Sequence, residues 1–225
     1  MPTKDLPSAQ SKSVPLSRLD TTDDTFRITT RTSVDDLLAS LRHDGMLNPP
    51  LDKFLAFSMA NIQASEKNID AAYASLQEAR EVVEQFQLKT LEIQVQMVHA
   101  IISEAEGDFA AMAEHFLKAI ERINHSVVAA EVQTAVPKLY SEIARAQIEI
   151  GSLGAAEKSI EAGFRLDPSE PMLWVAKARL QQARNMPRMA LASVNYALAI
   201  WKDADEDYVQ AKIAWTLAAE LQSKS

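Results

Sequence analysis

Small residues recur at matched positions through the helix-rich part of this chain. Ala60, Ala100, Ala144 and Ala178 form one column, and the successive spacings are 40, 44 and 34 residues. Three further columns keep constant offsets from these alanines. The first consists of Ala72, Met112, Ala156 and Ala190, and the second of Leu76, Phe116, Ile160 and Val194. The third consists of Ala79, Ala119, Gly163 and Ala197. Two helices approach to about 8–10 Å only where small side chains lie at the crossing. The columns therefore predict pairs of helices that repeat and stack on one another.

Helix-forming residues dominate after residue 52, where apolar residues recur every three or four positions without a strand pattern. Gly107 and Gly151 predict left-handed helix ends, and Pro137 predicts either a kink or a new helix start. Three short polar residues are candidate N-caps, namely Asp108, Ser169 and Asp203. The sequence predicts nine helices, at about 53–66, 70–86, 89–105, 108–124, 127–150, 153–165, 170–184, 187–200 and 204–222.

The last units carry a more specific pattern. From Pro137 it runs through Tyr140, Ile143-Ala144, Gly151, Ala156, Ile160, Gly163 and Pro168, and from Pro171 it recurs through Trp174, Ala178, Ala190, Val194 and Ala197. The pattern resembles the tetratricopeptide repeat, whose period is 34 residues, and the resemblance covers about residues 53–222. It implies an all-α, right-handed superhelix of about four antiparallel helical hairpins and one C-terminal capping helix. Lys177, Gln181 and Met112 depart from the consensus, and the first two units are longer than it.

Residues 1–52 form a separate polar tail, which holds five of the nine prolines, and residues 53–225 form the repeat domain. Ser33-Val34-Asp35-Asp36 has the form of a capping box and predicts one short helix, which ends at Gly45. Residues 14–50 resemble the start of the ParB-like partition-protein domain. The resemblance rests on Leu37, Leu38 and Leu41 and on the run Gly45-Met46-Leu47-Asn48-Pro49-Pro50. The phosphate-contacting Gly-Glu-Arg-Arg box of that family is absent, so its chemistry is not implied. The segment is either a cap on the first repeat or a functional half-domain.

Composition excludes several classes of protein. The chain has no cysteine, so a disulfide scaffold or a thiolate-bound metal is impossible. The formal net charge is −8 and the sequence pI is about 5.1, which argues against direct binding to nucleic acid. No apolar run reaches the roughly 18–20 residues of a membrane helix. The polar stretch Met1–Val14 lacks the apolar core of a secretory signal, and we therefore expect a cytoplasmic protein.

Catalytic and metal-binding motifs are missing from the sequence. It contains no Gly-x-Ser-x-Gly elbow, and five glycines in all disfavour a glycine-rich phosphate loop. None of the four histidines pairs with another at a spacing of four, and His99 reads as a core or lining residue. A calcium loop starting at Asp203 fails because Tyr208 and Ala214 replace its glycine and glutamate. We expect no enzyme activity, no cofactor and no metal.

A binding site follows from the resemblance, because the first helices of successive tetratricopeptide hairpins line a concave groove. The implied groove residues are Asn61, Gln94, Met97, Ile101, Lys138, Ser141, Arg145, Ile148, Met172, Val175, Arg179 and Gln182. Arg145 and Arg179 occupy the same position one repeat apart, and Lys138 lies nearly two turns before Arg145. These cations would bind carboxylates of a partner. Alternatively, the two arginines pair with neighbours such as Glu142 or Glu149.

The prediction for function is a protein-interaction adaptor or scaffold. Its groove would bind a partner protein or peptide through an acidic segment or a C-terminal carboxylate, with no nucleic acid and no membrane involved. The alternative is an accessory regulator of a DNA-partition or transcription system, which rests on residues 14–50. The sequence predicts neither the identity of the partner nor the oligomeric state.

Overall fold

A computed structural model describes residues 51–125, 133–205 and 208–223, with side chains from Leu55 onward. These residues contain nine α-helices and no strand, which confirms the all-α prediction. The helices are α1 (Leu51–Ser65), α2 (Ile69–Gln85), α3 (Glu92–Glu106), α4 (Phe109–Asn124), α5 (Val136–Glu149), α6 (Leu153–Leu166), α7 (Pro171–Ala183), α8 (Pro187–Ile200) and α9 (Val209–Ser223). The predicted N-terminal helix and the ParB-like stretch lie outside the described residues.

Three predicted boundaries are wrong. The expected helix over 127–150 is interrupted by a turn at Ala135, and α5 begins at Val136 with Pro137 in its first turn. Proline fits there because the first turn has no intrahelical acceptor for its missing N–H. The last helix begins at Val209 rather than at 204, so Asp203 is not its N-cap. A 3-10 turn over 89–91 precedes α3, which begins three residues later than predicted.

The end of each first helix has the same backbone geometry. A left-handed residue stands seven positions after the column alanine in every hairpin, at Lys67 (φ 61°), Gly107 (79°), Gly151 (73°) and Asn185 (59°). The N–H of the following residue donates to the carbonyl five positions earlier in all four cases, at 2.8 Å. This is the Schellman arrangement, which satisfies carbonyls at a helix end. The predictions for Gly107 and Gly151 are confirmed, and the repeat extends to two non-glycine positions.

Of the predicted N-caps, Asp108 is confirmed and Ser169 is wrong. The Asp108 carboxylate accepts a hydrogen bond from the backbone N–H three residues later, at 2.9 Å. At the start of α7, Glu170 is the capping residue, and its carboxylate accepts from the Met172 N–H at 3.0 Å. The Ser169 hydroxyl instead donates to Asp167, at 2.6 Å.

The columns of small residues lie at the contacts between helices. Ala60, Ala100, Ala144 and Ala178 are all 0% exposed, and the matching columns of the second helices are buried as well. Gly163 leaves no room for a side chain, because an added Cβ would stand 2.6 Å from a Leu173 methyl carbon. The spacing therefore identified the residues that allow close approach between helices.

The order of packing follows the order of the chain. The four hairpins are α1–α2, α3–α4, α5–α6 and α7–α8, and the two helices of each pack on one another. Helix α3 also packs on α1 and α2, α7 on α5 and α6, and α9 on α8. Helix α5 packs on α4 but does not pack closely on α3, unlike the other neighbouring first helices. The right-handed superhelix and the tetratricopeptide assignment stay predictions.

A hydrogen bond between two side chains recurs inside three of the four hairpins. A glutamine three residues after the column alanine accepts from a serine twelve residues later on the second helix. The bonds are Ser75–Gln63 at 2.7 Å, Ser159–Gln147 at 2.8 Å and Ser193–Gln181 at 2.7 Å. Ser103 and His115 occupy these two positions in the second hairpin, where His115 bonds Gln96 at 2.9 Å instead. The bond explains why Gln181 departs from the apolar consensus.

In the ranges that the structure describes, every helix is too short or too polar to cross a bilayer.

Candidate functional site

A continuous groove runs along the first helices of the last three hairpins and onto α9. It consists of two adjoining cavities that share Arg179 and Ile213 in their walls. The central pocket, about 620 Å³, lies between α3, α5 and α7, and the terminal pocket, about 610 Å³, lies between α5, α7 and α9. The central pocket opens where α3 and α5 fail to pack closely.

Most of the residues that the sequence assigned to the groove line these cavities. The central pocket contains Met97, Ile101, Lys138, Ser141, Arg145, Met172, Val175 and Arg179. Ile148 and Gln182 line the terminal pocket together with Arg179. Asn61 and Gln94 line neither: Gln94 is exposed on α3, and the Asn61 Oδ1 atom is buried without a hydrogen-bond partner among the described residues.

The central pocket has an apolar interior. Phe116 and Leu139, which belong to the hydrophobic core, form part of its wall, and the half-buried side chains of Met97, Met172 and Ile213 line it as well. Phe116 reaches the pocket from α4 because the two first helices in front of it, α3 and α5, stand apart. A bulky apolar group can therefore leave water here without displacing a helix.

Arg145 holds α3 and α5 together across this gap. Its guanidinium forms ion pairs with Glu104 of α3 at 2.7 Å and with Glu142 of its own helix at 2.9 Å. Burial alone would lower the pKa of Arg145, but the two carboxylates outweigh burial and raise that pKa above its ordinary value. The alternative prediction for this residue, pairing with Glu142, is confirmed. Its charge is neutralised within the protein and is not free for a partner.

Lys138 and Arg179 are in a different electrostatic situation. Across the described part of the chain, neither side chain lies within ion-pair distance of a carboxylate. Lys138 is exposed and Arg179 is half-buried, and both border the central pocket. The Ser141 hydroxyl donates to the Lys138 backbone carbonyl at 2.7 Å, so only its oxygen lone pairs can serve a ligand. Two unneutralised cations therefore flank an apolar pocket.

Ile213 was not predicted from the sequence, although a signal was present. Ile213 follows Arg179 by the same 34 residues that separate Arg179 from Arg145, so the three share one column. Glu104 was missed for a different reason. It comes from the preceding hairpin, and the distance of 41 residues to Arg145 carries no local pattern.

A third cavity of about 300 Å³ lies between α2, α3 and α4 and contains a histidine pair. The rings of His99 and His115 stack with centroids 4.8 Å apart and planes 13° from parallel. Burial, the neighbouring His115, and the cations Arg80 and Lys118 lower the pKa of His99 to about 4. Burial and Lys118 also lower the pKa of His115. His99 is therefore a neutral lining residue at pH 7.

Acid is expected to destabilise the protein through His99. Its pKa is about 4 in the folded state and about 6.5 in the unfolded state, so the unfolded chain binds more protons between these values. The contribution of His99 to stability should be constant above about pH 6.5 and should be lost as the pH drops towards 4. Because His99 is half-exposed, the loss at pH 4.5 should be only about 1–2 kcal/mol. Urea unfolding of wild type and His99→Gln at pH 7.5 and 4.5 measures this loss of stability. An identical pH dependence in both proteins would contradict the role of His99.

No protein-family model matches the chain, and a search of curated proteins found no significant match in sequence.

Proposed function

We propose that this chain is a non-catalytic helical adaptor whose groove binds an acidic peptide segment of a partner protein. The observation that carries the proposal is the pair Lys138 and Arg179, which border an apolar pocket without carboxylate partners in the described residues. In a protein of net charge −8, two unneutralised cations at one cavity attract carboxylates locally. The proposed fold is the right-handed, tetratricopeptide-like superhelix implied by the sequence. The recurring Schellman ends and the recurring Gln–Ser bonds support this assignment.

A peptide gains two kinds of interaction in this groove. The Arg179 guanidinium can form two parallel hydrogen bonds with one carboxylate, and Lys138 can bind a second carboxylate as a point charge. Hydrogen bonds to charged groups contribute about 1.5–3 kcal/mol each. Arg145 contributes less to peptide binding, because its guanidinium already forms ion pairs with Glu104 and Glu142.

The alternative function, an accessory regulator of DNA partition or transcription, rests on residues 14–50. Those residues lie outside the described part of the chain, and no feature of the described helices favours that alternative. The adaptor is therefore the function we propose.

Reversing the two unpaired cations tests the proposal. We expect Lys138→Glu with Arg179→Glu to weaken peptide binding at least tenfold, because two attractive charges become repulsive. The probe is a random 12-residue peptide library displayed on phage and selected on wild type. Fluorescence polarisation then gives the dissociation constants of the enriched peptides. Enrichment of Asp and Glu is expected.

The matched control carries the same change of charge on exposed residues away from the groove, Lys158→Glu with Arg188→Glu. Its affinity should equal that of wild type within about twofold. Thermal melting establishes that all three proteins are folded. Equal losses in the two variants, or selected peptides without an excess of acidic residues, would refute the proposal.

A further inference from the structure

The central pocket also restricts the sequence that a bound peptide can have, provided that the proposed function holds. Its apolar interior lies between the two unpaired cations, which stand on different helices: Lys138 near the start of α5 and Arg179 in the second half of α7. A ligand that reaches both cations must therefore cross the pocket. An acidic residue alone would leave the pocket filled with water.

The separation of the two cations sets a spacing in the ligand. By the column offsets, Lys138 of α5 corresponds to Met172 of α7, so Arg179 lies seven residues further along its helix. Seven residues span about 10 Å of helix, and adjacent helices are about 8–10 Å apart. The diagonal is therefore about 13–14 Å, which an extended peptide covers in about four residues.

We infer that the groove recognises an extended segment of the form acid-x-Φ-x-acid, where Φ is a bulky apolar residue that occupies the central pocket. In an extended chain, side chains at i, i+2 and i+4 point to the same face, so both acids and the apolar anchor face the groove together. The carboxylates pair with Lys138 and Arg179, and the anchor contacts Met97, Met172 and Ile213. The flexible methionine side chains can adapt to Leu, Met or Phe as the anchor.

Four labelled synthetic peptides in one Gly/Ser frame test this inference by fluorescence polarisation. The first carries Glu at i and i+4 with Leu at i+2, and the second replaces this Leu with Ala. The third replaces both Glu with Gln, and the fourth keeps the composition of the first but places both Glu together, three residues before Leu. We expect the first peptide to bind at least tenfold more tightly than each of the others. Loss of a buried Leu side chain corresponds to roughly a tenfold to hundredfold effect.

A change in the pocket should act only through the anchor. Met172→Gln is expected to weaken the Leu peptide several-fold and to leave the Ala peptide unchanged. The exposed Met189 on α8 offers the matched control, Met189→Gln, which should change neither affinity. Thermal melting of both variants ensures that they are compared as folded proteins.

The outcomes separate the inference from the proposed function on which it rests. If the Leu and Ala peptides bind equally while the Gln peptide binds more weakly, the anchor is refuted and the acidic groove stands. If the fourth peptide binds as tightly as the first, the spacing is refuted. If no Glu-containing peptide binds more tightly than the Gln peptide, both the inference and the proposed function are refuted.

Discussion

Replacing Gly163 with valine is expected to lower the free energy of unfolding by about 3 kcal/mol. A Cβ at this position would lie 2.6 and 2.8 Å from the two methyl carbons of Leu173 and 3.1 Å from the Tyr140 Cβ atom. Leu173 is 0% exposed, so any shift of its methyl groups has to be taken up within the core, and the Tyr140 Cβ atom cannot rotate away. The position joins α5, α6 and α7, and the damage should therefore spread across two hairpins. Urea unfolding of the variant measures the loss.

The same helix provides the control. Gly154 lies in the first turn of α6, and an added Cβ there would meet nothing within 4 Å. Gly154→Val should change stability by less than about 0.5 kcal/mol, because glycine and valine differ little in helix propensity. Adding Leu173→Ala to Gly163→Val should cost less than the sum of the two single changes, because the new space accommodates the valine. Strict additivity of the two changes would contradict the proposed clash.

The buried hydrogen bond of the fourth hairpin should show strong coupling in a double-mutant cycle. Gln181 and Ser193 are 8% and 5% exposed, and the serine hydroxyl donates to the glutamine oxygen at 2.7 Å. Removing either partner leaves the other buried without a bond. We therefore expect Gln181→Leu and Ser193→Ala each to destabilise the protein by about 1–3 kcal/mol.

Removing both partners together should be nearly neutral, because two apolar groups then face one another. The free energies of unfolding of the four proteins, from urea titrations, give the coupling. The equivalent cycle with Gln147 and Ser159 in the third hairpin should give the same sign. If the double variant loses the sum of the two single losses, the bond does not hold the hairpin together as described.

The helix ends show which backbone conformations the local sequence predicts and which it does not. Gly107 and Gly151 correctly predicted left-handed helix ends, because glycine adopts positive φ without a Cβ penalty. Lys67 and Asn185 stand at the same position of their hairpins with the same backbone geometry. Asparagine adopts positive φ more readily than most residues, whereas at Lys67 only the register of the repeat indicates the left-handed end. At Lys67 the chain reverses between α1 and α2, which pack on one another. Gln87, at the end of α2, also has positive φ without a signal in its sequence.

The groove was predicted in part, for reasons that the packing makes plain. The predicted members Met97, Lys138 and Arg179 line the central pocket because each lies on the same face of its helix as the repeat register implies. Asn61 does not line it, because α1 and α3 pack closely, whereas α3 and α5 do not. Two positions that are equivalent in register can therefore differ in access to the groove.

Spacing along the chain was enough to identify the helical fold, the pairs of helices and the buried small residues. The reason is that helical periodicity and close approach depend on residues a few positions apart, and a repeat presents the same requirement four times. The charge state of the groove could be learned only from the folded molecule. Whether Arg145 is neutralised by Glu104 and whether α3 separates from α5 depend on residues from different hairpins. Contacts between residues of different hairpins produce no periodic pattern in the sequence.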